Sequence, residues 1–146
     1  MAARRRKHAY GLGGDDREMD RVESTIEQLT ARLERGREAL SNTARALASG
    51  SPSKAFRAKM KAQDALAAIS KTLETSRITR STSGRRLDSL PKHAPFGIAH
   101  EFVRSLDHSI ERAEAMRKRL IAISYGDAQR MREGLERDRA RRARRR

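Results

Sequence analysis

Apolar residues after position 16 recur at Met19, Val22, Ile26, Leu29, Leu33, Leu40 and Leu47. The steps alternate between three and four, then become seven and seven. A helix turns about 100° per residue and a strand about 180°, so only a helix gathers these positions on one side. Gly36 and Thr43 stand at the two seam positions that lack a large apolar residue. A seam this narrow closes only against other helices. The chain is therefore expected to be all-α.

Two further stretches carry helical stripes. Ser49-Gly50-Ser51-Pro52 is a stop-and-restart signal: Gly50 suits a helix C-terminal cap, Ser51 an N-cap and Pro52 a first helical position. Beyond it, Phe56, Met60, Leu66, Ile69 and Leu73 mark the expected apolar face of a second helix. Six alanines between 55 and 68 raise its helix propensity. Ala99, Phe102, Val103, Leu106, Ile110, Ala113, Met116, Leu120 and Ile123 build a third stripe. The predicted helices run over about 16–49, 52–79 and 97–124, within a bundle spanning 15–125. Residues 80–96, with Ser81-Thr82-Ser83-Gly84, Pro91 and Pro95, are expected to form a basic loop. Residues 1–14 are expected to be a flexible basic arm, because Gly11, Gly13 and Gly14 follow its charges. Tyr125-Gly126-Asp127 offers a break. An arginine-rich C-terminal helix or tail over 126–146 then carries i,i+4 pairs at Glu133–Arg137 and Asp138–Arg142. The expected fold is an elongated three-helix bundle, coiled-coil-like along its first helix, with that basic helix projecting. The first seam is assigned to packing within the chain, since the other stripes need partners.

Charge sets the functional expectation. The net charge is +15, with 34 basic and 19 acidic residues. Residues 1–8 and 137–146 hold +10 of it, while the 128 residues between them carry 23 basic and 18 acidic side chains. A near-balanced body with two basic ends suits a polyanion, whose condensed counterions are released as its phosphates are neutralised. Arg4, Arg5, Arg6, Lys7, Arg137, Arg139, Arg141, Arg142, Arg144, Arg145 and Arg146 are the candidate phosphate contacts. Arg80, Arg85 and Arg86, from the expected loop, join them. Arginine favours two-pronged phosphate contacts and is always charged.

Other classes find little support. There is no cysteine, which excludes disulfides, thiolate catalysis and cysteine zinc sites. His100-Glu101 opens like a zinc-protease motif, but Arg104 stands where the second histidine belongs. The four histidines show no ligand spacing and there is no phosphate loop, so neither an enzyme nor a bound cofactor or metal is expected. No apolar run reaches the roughly 18 residues of a membrane span, and the basic start lacks a secretory apolar stretch. With no tryptophan, two tyrosines and three phenylalanines on or beside expected core stripes, no base-stacking platform is evident.

The sequence thus points to an architectural, largely sequence-indifferent nucleic-acid-binding protein. DNA is favoured over RNA by a small margin, and self-association is expected. A virion or nucleoid component that packs a genome is the most concrete form. A helical adaptor of a large ribonucleoprotein or protein assembly, and an accessory factor for DNA transfer or replication, are the competing readings. A small-molecule substrate and a membrane are not expected partners.

Overall fold

The structure, a computed structural model, describes residues 10–126, 136–137 and 139–145. Helix α1 runs over Asp16–Ala48, α2 over Pro52–Thr79, a short α3 over Arg85–Asp88 and α4 over Gly97–Ile121. Two π-turns, Arg80–Gly84 and Ala122–Gly126, extend α2 and α4. The long helices pack into an all-α helical bundle with no strand among the described residues. The turn between α1 and α2 follows its cap chemistry. Gly50 adopts φ 67°, and Ser51 Oγ accepts from Lys54 N at 3.4 Å just ahead of Pro52.

The chain resolves into two compact units. The first comprises Met1–Ala31 and Lys71–Ala113, the second Arg32–Ser70 and Glu114–Arg146. In the first, Met19, Val22 and Leu29 of α1 are buried, as are Leu73 of α2 and Val103 and Leu106 of α4. Large aliphatic side chains thus fill this core, each fully buried one contributing about 1.5–3 kcal/mol of apolar transfer.

The second core combines a row of small residues with buried Leu33, Ile69, Met116 and Leu120. Ala39, Ala46, Ala55, Ala58, Ala62 and Ala65 are buried, with Gly36 and Thr43 among them. Thr43 Oγ donates to Ala39 O at 2.7 Å and lies 3.4 Å from Ala58 O on the facing helix. That contact needs α1 and α2 in close approach. Gly36 makes room in the same way on another side. A Cβ added there would stand 2.7 Å from Met116 Cγ and 2.9 Å from its Sδ. The two seam positions that look weak in sequence are therefore occupied within the chain.

The expected apolar face of α2 needs correction. Ile69 and Leu73 are buried and Leu66 is half-buried, but Phe56 and Met60 are 65% and 47% exposed. Buried Ala55 and Ala58 turn inward, and Phe56, one residue on from Ala55, is rotated by about 100° away from the core. The expected loop over 80–96 also needs correction. The chain stays helical through Asp88, and only 89–96 connect to α4. Ser83, Gly84 and Leu87 are buried there, so tertiary burial overrides the weak helix propensity of Ser-Thr-Ser-Gly. The hydroxyls of Ser81 and Thr82 both donate to Ile78 O, at 3.0 and 2.9 Å.

Of the expected flexible arm, residues 1–9 lie outside the described residues, and 10–14 hold fixed contacts. Leu12 is buried, and its N–H donates to Asp16 Oδ1 at 3.1 Å. The Tyr10 hydroxyl donates to the Glu23 carboxylate, and its ring meets Phe102 edge-on at 5.5 Å between centroids. Burial, then the hydrogen bond to Glu23 and its charge, raise the Tyr10 phenol above its ordinary value of 10.0.

Two outcomes follow from this packing. Gly36→Leu should lower stability by about 2 kcal/mol through overpacking against Met116, read as a lower urea midpoint at unchanged slope. Tyr10 should stay protonated where a free tyrosine ionises. Its stabilisation is present below about pH 10 and lost as pH rises through the raised value. Phenolate absorbance should therefore show a late phase that is missing in Tyr10→Phe, and the two proteins should converge in stability at strongly alkaline pH.

Candidate nucleic-acid interface

The sequence-nominated arginines fall into three groups. Arg4, Arg5, Arg6, Lys7 and Arg146 lie outside the described residues. Arg137, Arg139, Arg141, Arg142, Arg144 and Arg145 are exposed, and 139–144 is helical. Arg80, Arg85 and Arg86 sit on the helical extension of α2, not on a loop.

Within this last group, two of the three are engaged by carboxylates of the same unit. Arg80 Nε donates to Asp107 Oδ1 at 2.6 Å, and its Nη2 to Asp88 Oδ2 at 2.9 Å. The bond to Asp107 is the main cause that holds the guanidinium above its ordinary range; partial burial opposes it and Asp88 adds to it. The π-turn and Gly84 make this geometry accessible. A Cβ on Gly84 would lie 3.0 Å from Arg80 Cδ, so a bare backbone lets the arginine fold back along its own helix. Arg86 Nε donates to Asp15 Oδ1 at 2.9 Å, tying the extension to the start of α1. That bond likewise raises Arg86. Arg85 is exposed. Arg80 and Arg86 thus act first as clamps within the first unit.

Charge is distributed very unevenly between the two units. Over 10–31 and 71–113, the first unit carries ten basic and eleven acidic residues, before Arg4, Arg5, Arg6 and Lys7 are counted. Over 32–70 and 114–126, the second carries eleven basic and four acidic ones, before the C-terminal arginines are counted. Lys54, Arg57 and Lys61 of α2 are exposed, Lys59 is half-exposed, and Arg117, Lys118 and Arg119 of α4 are exposed. These residues escape a reading that weighs the chain end against end. They become visible only when the helices are divided where their contacts divide, because acid-rich and acid-poor halves of the same helices cancel in a linear count.

The remaining polar features have other work. His100 Nε2 donates to Leu90 O at 3.0 Å and lies 3.2 Å from Pro91 O, closing the connection into α4. A groove of about 560 Å³ in the first unit is lined by Thr25, Thr75, Thr79 and Thr82, among others. Their hydroxyl protons go to carbonyls of their own helices, at 2.8 to 3.3 Å. No cluster of three or more metal-ligating side chains occurs, and no helix is long and apolar enough to cross a membrane, among the described residues. No protein-family model matches the chain, and neither the curated proteins nor the solved structures yield a significant match.

Arg80→Met should cost stability of about 1 kcal/mol, since its partners are nearly half exposed and solvent screens the pairs. The loss should shrink at high salt, as read by thermal melts in low and high sodium chloride.

Proposed function

We propose that the protein is an architectural nucleic-acid-binding protein that holds phosphates by charge, with little regard for sequence. The second unit and the C-terminal arginines form the principal contact surface. The excess of eleven basic over four acidic residues on that unit carries this reading. Such a surface gains affinity by releasing condensed counterions, a term blind to base identity. The first unit, near neutrality over 10–31 and 71–113 and with Arg80 and Arg86 held by carboxylates, serves as scaffold. Genome packing in a virion or nucleoid, with copies of the chain associating on the nucleic acid, is the most concrete form of this role.

Binding should fall steeply with salt. Six phosphate contacts on duplex DNA correspond to a log–log slope of about −5. Replacing Lys54, Arg57, Lys59 and Lys61 together by glutamine should make that slope shallower by about 3, whereas Arg80→Gln with Arg86→Gln should leave it in place. Fluorescence anisotropy across a salt series, with circular dichroism to verify helix content, reads both. A slope near zero for the intact chain, or equal losses from the two sets of substitutions, would sink the proposal.

A further inference from the structure

The outward side of α2 combines two features that a purely electrostatic surface does not need. Phe56 and Met60, one helical turn apart, form an exposed apolar ridge, 65% and 47% exposed respectively. Arg57 and Lys61, each one residue further on, form a parallel basic ridge about 100° around the same helix. Lys59 flanks the apolar ridge on its other side. A second aromatic, Tyr125, is 62% exposed in the same unit. The exposed aromatics thus lie on the strongly basic unit, and the large exposed apolar residues of the near-neutral unit, Ile78 and Ile98, are aliphatic.

We propose that this face binds single-stranded nucleic acid, with Phe56 stacking on an unpaired base while Arg57 and Lys61 hold the adjoining phosphates. The inference rests on the phosphate-binding reading and adds a strand preference to it. An aromatic ring offers its face to any base, so stacking adds affinity without sequence choice, and cations beside it follow the backbone. In a duplex the base faces are already covered by their neighbours, so the ring gains nothing unless the stack is pried open. The excess of basic groups complements a polyanion. A lipid surface is disfavoured because two apolar side chains, with Asp64 exposed one turn beyond Met60, make too narrow a face to sink into a bilayer.

The test uses the full chain, labelled poly-dT, and a duplex of the same length. Phe56→Leu keeps an apolar side chain but removes the ring, and an exposed site tolerates the change. It should weaken poly-dT binding about ten-fold while leaving duplex affinity and the salt slope in place. Phe56→Trp should restore poly-dT binding, and its emission, from the one tryptophan then in the chain, should be quenched on saturation. Unchanged poly-dT affinity in Phe56→Leu, or unquenched tryptophan in Phe56→Trp at saturation, overturns the stacking proposal and leaves phosphate binding standing. No retention of either nucleic acid overturns both. Capture by phosphatidylserine vesicles with no retention of either nucleic acid overturns both and assigns the face to lipid.

Discussion

The close approach of α1 and α2 in the second unit governs what the rest of that unit can present. A row of alanines and Thr43 brings the helices near enough for a threonine hydroxyl to reach the facing backbone. Along the alanine row little space is left for large side chains, and the large buried ones, Leu33 and Ile69, come before and after it. Leu40, Leu47 and Leu66 are only half-buried, and Phe56 and Met60 stand in solvent. Small-residue packing exchanges apolar burial for backbone proximity, gaining dispersion contacts between well-fitted surfaces. It also leaves most of each helix's circumference outside the core. That circumference is where the lysines and arginines stand.

The first unit is held differently. Large aliphatic side chains fill its core, and ion pairs bind its edges. Arg80 joins the π-turn after α2 to Asp88 on α3 and Asp107 on α4, and Arg86 reaches Asp15 at the start of α1. Tyr10 adds a strap between Glu23 and Phe102. These contacts give two arginines that resemble ligand-binding residues carboxylate partners within the unit. A guanidinium already holding carboxylates has to give up those bonds before it can take a phosphate, so its net gain is small.

How legible the site is depends on scale. The C-terminal arginines are visible in the sequence because a run of like charge needs no fold to be noticed. Lys54, Arg57, Lys59 and Lys61 are harder to single out, since each has an ordinary helical neighbourhood and acidic residues elsewhere offset them in the total. The exposed ring of Phe56 is hidden for another reason. It falls at a plausible stripe position, and only the inward turn of Ala55 and Ala58 shows that the stripe belongs to smaller residues.

Periodicity and cap residues are enough to make the chain helical, to end α1 at Gly50 and to restart the next helix at Pro52. These are local matters, set by periodicity, glycine conformation and proline geometry, and they hold wherever the segments pack. The residues alone also set the total charge and the arginine-rich C-terminus. Tertiary structure alone decided that residues 80–88 are helix, because burial of Leu87 and pairing of Arg80 and Arg86 outweigh poor local propensity. It alone decided which apolar residues form the core, because the face of α2 that turns inward carries Ala55, Ala58, Ala62 and Ala65 ahead of Ile69 and Leu73, and not Phe56 and Met60. It alone separated a near-neutral unit from a strongly basic one, since helix pairing, and not sequence distance, determines which charges share a surface.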